Sequence, residues 1–183
     1  NNKLYNANNR LNAVQMVKYV KNVKLHDNEI NGNVIVYGSK DKIRIQNNKI
    51  SNGNMYFKIG EQCRNNPNFM NKIEMIGNSI HNCDFQIDHV NNVLISENQI
   101  EKTGISIISS NIAIANNTFF NLKNDEYIKS FNVGEGENQK YNLYLYQNIL
   151  PENTKEFSVE NEYISVFYDQ ESFKRYITKE FYN

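Results

Sequence analysis

Residues 91–119, NNVLISENQIEKTGISIISSNIAIANNTF, contain one short phrase twice. The phrase is two apolar residues in alternation, an asparagine three positions later, and another apolar residue two positions after the asparagine. The starts of successive copies are 19 or 20 residues apart, with two wider steps of 30 and 31. A near-constant step indicates stacked turns of one repeating unit, with two longer loops between them. The complete copies are Val23-x-Leu25-x-x-Asn28-x-Ile30, Ile43-x-Ile45-x-x-Asn48-x-Ile50, Ile73-x-Met75-x-x-Asn78-x-Ile80, Val93-x-Ile95-x-x-Asn98-x-Ile100, Ile112-x-Ile114-x-x-Asn117-x-Phe119 and Leu143-x-Leu145-x-x-Asn148-x-Leu150.

Each turn is predicted to hold three short strands, because its apolar residues alternate with a period of two. In the clearest turn the first strand contains Ile105 and Ile107, the second contains Ile112 and Ile114, and the third surrounds Phe119. Turns stacked about 4.8 Å apart pair each strand with its counterparts above and below. The sequence therefore predicts a solenoid of about seven turns. The other first strands are predicted at Val14–Met16, Val34–Val36, Met55–Phe57 and Phe85–Ile87.

The repeated asparagine is predicted to form a column of its own along one corner of the solenoid. Asparagine tolerates the left-handed backbone conformation that a tight corner needs. Its amide also carries both donors and acceptors, so stacked copies can bond along the column. A degraded first copy of the phrase is predicted at Leu4, Asn9 and Leu11. The expected column is Asn9, Asn28, Asn48, Asn78, Asn98, Asn117 and Asn148.

The stretch GISIISSNIAIANNTF resembles the repeat of right-handed parallel β-helix proteins of the pectate-lyase-like superfamily, and the resemblance covers roughly residues 4–150. It implies an all-β, right-handed parallel β-helix. The superfamily includes polysaccharide lyases, glycoside hydrolases, uronate epimerases, phage tailspikes and non-catalytic surface proteins, and the fold does not choose among them. The resemblance implies a polysaccharide partner and an extracellular, cell-surface or virion location. Tailspike relatives commonly form trimers, so a homotrimer is also within what the resemblance allows.

Residues 1–150 are assigned to the turns of the solenoid, and residues 151–183 to C-terminal strands and a helix of the same domain. No capping helix precedes the first turn, although the raw edge of a solenoid needs a cover. We therefore expect this chain to be the C-terminal part of a longer protein. The alternative is an atypical, asparagine-rich first turn that caps itself.

The C-terminal segment is predicted to end in a helix over residues 170–181, with Asp169 as its N-cap. Alternating apolar residues at 157–159 and 163–167 predict two further strands before it. Four apolar residues follow one face of the helix. We expect that face to plug the open C-terminal end of the coil. The four residues are Phe173, Tyr176, Ile177 and Phe181.

Charge and cysteine content exclude several partner classes. Twenty basic and twenty acidic residues give a formal net charge of zero, and basic residues are not clustered, so nucleic acid is not an expected partner. No apolar stretch approaches the length of a membrane span. Cys63 and Cys83 fit no metal spacing and are expected to be unpaired, because a disulfide would need the 60–71 loop to fold back. We predict no metal and no cofactor.

The outward side of the first strands is the candidate functional surface. The two long insertions, 60–71 and 134–140, leave the coil at one corner and are expected to flank this side, and functional residues concentrate on such loops. Tyrosines beside acids, amides and a lysine suit a saccharide, since the rings pack on its apolar faces and the polar groups bond its hydroxyls. The predicted substrate-binding residues are Tyr37, Tyr56, Asp84, Gln86, His89 and Arg64.

The predicted catalytic residues are Asp88, Lys58 and Glu61. Hydrolysis needs two carboxylates about 5–5.5 Å or about 6.5–9.5 Å apart. Asp84 and Asp88 are four residues apart on one strand, roughly 13 Å, which is too far. Asp88 and Glu61 reach the inverting distance if the loop bends inward. Lyase or epimerase chemistry needs a base beside a charge neutraliser, which Lys58 and Asp88 could supply, with His89 next to them. The alternative is an exposed Lys58–Asp88 ion pair of little energetic value.

The function that the sequence favours is recognition of an extracellular or cell-surface polysaccharide, with depolymerisation of the lyase or glycoside hydrolase type as its catalytic extension. The alternative is a non-catalytic structural or adhesive β-helix that serves as a rigid spacer. An intact small epimerase or lyase is disfavoured by the mid-coil start. A concave first-strand side, on which tyrosines, Lys58 and Asp88 converge, would favour binding or catalysis. A flat side with an ordered Lys58–Asp88 pair would favour the spacer.

Overall fold

The fold is the parallel β-helix that the repeat predicts. The structure, a computed structural model, describes residues 2–5, 12–20, 22–39, 42–58, 72–122, 126–133, 138–154 and 162–182. These residues form three sheets of six, six and seven strands, in which every strand pairs in parallel with its neighbours. Each sheet takes one strand from each successive turn, so the three strands predicted per turn are confirmed.

The strands are named in chain order and grouped here by sheet. The first sheet contains β2 Asn12–Val20, β5 Asn33–Ser39, β8 Asn54–Lys58, β11 Asp84–Asp88, β14 Gly104–Ile108 and β17 Ile128–Asn132. The second sheet contains β3 Val23–His26, β6 Lys42–Gln46, β9 Lys72–Ile76, β12 Asn92–Ser96, β15 Asn111–Ala115, β18 Tyr141–Tyr146 and β19 Ile164–Phe167. The third sheet contains β1 Lys3–Tyr5, β4 Glu29–Asn31, β7 Lys49–Ser51, β10 Ser79–His81, β13 Gln99–Glu101 and β16 Thr118–Phe120.

The interior is filled by the apolar columns that the phrase predicts. In the second sheet Ile43, Ile73, Val93, Ile112 and Leu143 stack in register, and each is at most 2 % exposed. The same alternation holds in β8 and β11, where the inward residues are buried and the first and third residues of each strand are not. Because each column is apolar on every turn, burial is continuous along the coil and holds the three sheets together.

The corner asparagines form the predicted ladder. From Asn28 to Asn148, each Nδ2 donates to the Oδ1 of the next asparagine along the column, at 2.9–3.1 Å. The expectation that these asparagines adopt the left-handed conformation is wrong. The residue before each one has a φ of 50–68°, so the bend is made one position earlier and the asparagine amide lies along the corner. The left-handed residues are Asp27, Asn47, Gly77, Glu97, Asn116 and Gln147.

The first turn differs from the register that the sequence suggested. Leu4 lies in β1 and pairs with Ile30, so it belongs to the third sheet and not to the second. Asn2 occupies the first ladder position, since its N–H donates to Asn28 Oδ1 at 3.1 Å and its carbonyl accepts from the Glu29 N–H at 3.0 Å. A single apolar residue fits a second or a third strand equally well, which is why the pattern misplaced Leu4. The predicted positions Asn9 and Leu11 lie outside the described residues.

The predicted C-terminal helix is present and begins where expected. Helix α1 spans Gln170–Ile177 and continues as a π-helical turn over Thr178–Tyr182. Asp169 is its N-cap, and Asp169 Oδ1 accepts a hydrogen bond from the Ser172 N–H at 2.8 Å. Of the two predicted strands before it, the one at 163–167 is β19, while residues 157–159 lie outside the described part of the chain. No helix in the described ranges is long and apolar enough to cross a bilayer.

The helix does not plug the end of the coil as expected. Its apolar residues pack against the outward side of the second sheet, where they form a second, smaller core. Tyr144 lies at the centre of this core, stacked between Phe167 at 4.9 Å and Tyr176 at 4.4 Å. The outward residues Leu94 and Ala113 are apolar and would otherwise be exposed, so covering them is the more favourable position for the helix.

Candidate functional site

The first sheet aligns the predicted site residues in the expected columns. Lys58 pairs in register with Asp88 and with Tyr37, and Tyr56 pairs with Gln86. These residues alternate along their strands with the inward apolar residues, such as Met55, Phe57 and Ile87, so they share the outward side of the sheet. Glu61 and Arg64 lie outside the described residues, in the segment that follows directly after Lys58 at the end of β8.

Asp88 is the centre of a cluster of polar side chains. Lys58 Nζ lies 3.0 Å from Asp88 Oδ2, and the Tyr56 hydroxyl donates to the same oxygen at 3.4 Å. His89 Nδ1 bonds the other oxygen, Oδ1. Asp88 is only 5 % exposed and the Lys58 side chain is 30 % exposed. The pair is therefore not the exposed ion pair that the alternative interpretation of the sequence assumed. The cluster is a partly desolvated ion pair with two further hydrogen bonds.

The backbone explains why these four side chains meet. Lys58 and Asp88 are the last residues of β8 and β11, and parallel pairing places the ends of both strands at one corner. His89 follows with a left-handed φ of 54°, which bends the chain at once after the strand. That bend places the His89 ring beside the carboxylate of its own neighbour. Tyr56 lies two positions before Lys58 on the same side of β8.

The protonation states of the cluster follow from its contacts. Burial alone would raise the pKa of Asp88, but the hydrogen bonds from His89 and Lys58 outweigh it and hold the pKa below its ordinary value. The hydrogen bond to Asp88 raises the pKa of Lys58. Burial raises the pKa of the Tyr56 phenol. At neutral pH the cluster therefore holds a carboxylate, an ammonium and a neutral phenol.

These protonation states suit binding better than proton transfer. A lysine base needs a lowered pKa, and the pKa of Lys58 moves the other way. A general acid needs a raised carboxyl pKa, and the pKa of Asp88 is lowered. Such a cluster can instead form hydrogen bonds with hydroxyl groups. The carboxylate accepts from them, and the ammonium and the phenol donate to them.

Asp84 lies at the other end of β11 from Asp88 and has its own partner. Lys129 Nζ lies 2.8 Å from Asp84 Oδ1, although β14 lies between their strands, β17 and β11. Lys129 reaches across Gly104, where a side chain would lie 2.5–2.9 Å from the lysine stem. The register of β17 shifts between Ile128 and Ser130, which places Lys129 out of the regular alternation. Sequence reasoning missed Lys129, and the only signal was a glycine in a column of Asn and Asp.

An aromatic pair lies beside the Asp88 cluster. The rings of Tyr37 and Tyr56 meet edge to face, with centroids 5.7 Å apart and an angle of 84°. Both tyrosines are half-buried, so part of each ring faces outward. The described ranges hold no group of three potential ligands that could bind a metal ion. Cys83 is buried with its Sγ 3.3 Å from the His81 carbonyl oxygen, and Cys63 lies outside the described residues, so their predicted unpaired state stays a prediction.

Comparison with known proteins places the chain by its fold. The family described as the right-handed beta helix region matches residues 4–164. No curated protein and no solved structure matches the chain. The family match covers most of the chain and agrees with three parallel sheets that each collect one strand per turn. The family description names no reaction. The chain belongs to the right-handed β-helix family.

Proposed function

We propose that this β-helix recognises an extracellular or cell-surface polysaccharide along the outward side of its first sheet. The observation that carries the proposal is the pairing of Tyr37 and Tyr56 on adjacent turns, next to the Asp88 cluster. Half-exposed tyrosine rings offer apolar surface to the faces of sugar rings. Lys58, Asp88 and Gln86 offer donors and acceptors to hydroxyl groups in the same columns.

The repeating geometry favours a polymer over a single small molecule. Adjacent turns lie about 4.8 Å apart, so the outward side chains of successive turns form a row along the axis of the sheet. The Asp84–Lys129 pair and Gln86 extend the polar surface beyond the tyrosines. A polysaccharide repeats in the same way, so successive sugar units can meet successive turns. On this proposal the protein acts outside the cell, at a cell surface or on a virion.

Cleavage of the bound polymer is the catalytic extension of this proposal. A lyase or glycoside hydrolase mechanism would need a group that the Asp88 cluster lacks, since Lys58 is held protonated and Asp88 ionised. Glu61, on the segment after β8, remains our predicted second carboxylate. A hydrolase of the inverting type would place it about 6.5–9.5 Å from Asp88.

The second candidate is a structural or adhesive module without a saccharide site. The observation that favours it is the closure of the Asp88 cluster, in which Lys58, Tyr56 and His89 satisfy the carboxylate within the protein. Such a cluster can serve to fix the ends of β8 and β11 and nothing more. The two candidates differ in whether ligand contacts exist on the first sheet.

Polysaccharide binding by tyrosine variants tests the proposal. We expect Y37A and Y56A each to weaken binding to the best polymer in a panel by roughly five- to tenfold, because each removes an aromatic contact. The control is Y182A, which removes a tyrosine that is 73 % exposed at the C-terminus. Equal binding by all three variants, or no binding to any polymer, would favour the structural module.

Release of sugar end groups tests cleavage separately. Release that disappears in D88N would make the chain an enzyme with its site on the first sheet. Release that D88N leaves unchanged would keep the enzyme and reject this site. Binding without release would leave a recognition module.

A further inference from the structure

A pocket of about 330 Å³ lies between the C-terminal helix and the outward side of the second sheet. Its volume is at the lower end of the range for small-molecule sites. It lies on a different sheet from the Asp88 cluster and contains none of its residues. We propose that this pocket binds one acidic sugar unit, of the uronic acid type.

One wall of the pocket is a column of three asparagines. Asn92 and Asn111 are the first residues of β12 and β15, and Asn142 occupies the aligned position of β18, where it is the second residue. Asn111 Oδ1 accepts from the Asn142 N–H at 2.9 Å, and Asn92 Oδ1 accepts from the Tyr176 hydroxyl at 3.2 Å. These bonds fix two of the amides. Each amide carries two N–H donors and a carbonyl acceptor, which is the chemistry that pairs with adjacent hydroxyl groups on a ring.

A second wall is aromatic. Tyr144, Phe167 and Tyr176 stack with nearly parallel rings and all line the pocket. Burial raises the pKa of the Tyr176 phenol well above its ordinary value, so its hydroxyl stays protonated as a donor. Asparagine amides beside aromatic rings offer both polar and apolar contacts, as a sugar ring requires.

The charges of the helix side favour an acidic ligand. Arg175 and Lys179 line the pocket together with one carboxylate, Glu180. Glu180 already accepts from Asn92 at 2.9 Å and pairs with Lys179 at 3.1 Å. Arg175 pairs with Glu171 in an exposed contact of the kind that contributes little to stability. A ligand carboxylate can therefore replace Glu171 as the partner of the Arg175 guanidinium at small cost, on the positively charged side of the pocket.

The choice of a sugar acid, among polyhydroxylated acids, rests on the proposed function. The pocket would then hold a unit or side branch of an acidic polymer, while the first sheet binds the main chain. Because the two surfaces share no residue, each can fail without the other.

Titration of the isotope-labelled protein with sodium glucuronate, followed by NMR, tests the pocket. We expect glucuronate to shift the side-chain amide signals of Asn111 and Asn142. Glucose, which lacks the carboxylate, should bind with an affinity at least about tenfold lower. R175Q/K179Q should weaken glucuronate binding roughly tenfold. K174Q is the matched control, because Lys174 is on the same helix and does not line the pocket. Y56A should bind glucuronate as the unchanged protein does.

Three results would overturn the proposal. The first is the absence of amide shifts with glucuronate, and the second is equal weakening by K174Q and by R175Q/K179Q. The third is binding of cyclohexanecarboxylate with the same affinity as glucuronate. Cyclohexanecarboxylate carries the acid on a ring without hydroxyl groups, so the pocket would then recognise only the charge. Polymer binding that Y56A abolishes and R175Q/K179Q leaves intact would keep the proposed function and reject the pocket.

Discussion

Asn98 Oδ1 accepts two hydrogen bonds from Asn78, one from the backbone N–H at 2.8 Å and one from Nδ2 at 2.9 Å. The Nδ2 of Asn98 in turn donates to Asn117 Oδ1 at 2.9 Å and to the Met75 carbonyl at 3.0 Å. All this occurs at a corner where Asn98 is 1 % exposed. A side chain that both donates and accepts is required at each step, so the Asn98 amide satisfies two backbone groups of the preceding turn and bonds the asparagine side chain of the next turn.

Replacing Asn98 with alanine is expected to destabilise the coil strongly. N98A removes the acceptor of the Asn78 N–H, one of the acceptors of the Asn78 amide, and the side-chain donor to the Met75 carbonyl, all at a buried corner. We expect the free energy of unfolding to fall by about 2–4 kcal/mol, measured by urea denaturation.

Asn91 supplies the matched control for this ladder variant. Asn91 is exposed and lies just before β12, so N91A is expected to change the free energy of unfolding by less than about 0.5 kcal/mol. Equal effects of N98A and N91A would mean that the hydrogen bonds of the ladder do not contribute to the free energy of unfolding.

Gly53 is a second position where one residue type is required. A methyl group on Gly53 would lie 2.2 Å from the carbonyl carbon and oxygen of Gly32 in the turn before it. Backbone atoms cannot rotate away as a side chain can, so G53A should separate two turns at this corner. We expect a loss of about 3 kcal/mol in the free energy of unfolding. N54A, at the next and exposed residue, should cost less than about 0.5 kcal/mol, and a similar loss in both would contradict the steric argument.

The interior of the fold could be predicted because its signal repeats. Val93 and Ile95 alternate in the same phrase as Ile112 and Ile114, and a constant step aligns them without further information. The Lys58–Asp88 contact followed from the same register. The first turn could not be placed in this way, because one apolar residue does not define a strand.

The repeat alone does not predict where the helix packs or which residue pairs with Asp84. Leu94 lies between Val93 and Ile95, and three consecutive apolar residues indicate a strand buried on both sides. That run was the available signal that something covers the second sheet. The Asp84–Lys129 pair depends on an irregularity in β17, and local backbone irregularities leave no periodic trace in a sequence.

Loss of the helix cap should loosen the helix without unfolding the coil. D169A removes the oxygen that accepts from the Ser172 N–H, which should cost about 1 kcal/mol. Because the helix packs on the outside of the second sheet, we expect faster amide hydrogen exchange in α1 and unchanged exchange in β11 and β14. K174Q, at an exposed position of the same helix, is the control. Faster exchange throughout the coil would mean that the helix supports the whole fold.

The Asp88 cluster should make stability depend on pH in the acid range. The fold lowers the pKa of Asp88, so the carboxylate contributes stability that is fully present above the ordinary aspartate pKa of about 3.9. That contribution is lost as the pH falls through the lower pKa of the folded protein. The wild-type protein should therefore exceed D88N in free energy of unfolding by about 1–3 kcal/mol near pH 7.

Urea denaturation of both proteins at pH 7, 5 and 3 measures this dependence. The difference between them should be similar at pH 7 and 5 and shrink below the ordinary aspartate pKa, because protonated Asp88 can no longer pair with Lys58. K58Q should move the carboxyl pKa of Asp88 upward in an NMR titration, since it removes one of the two bonds that lower it. D84N is the control, because Asp84 lies in an exposed pair at the other end of β11 and should cost less than about 1 kcal/mol. A wild-type advantage over D88N that stays constant down to pH 3 would mean that Asp88 acts by its shape and not by its charge.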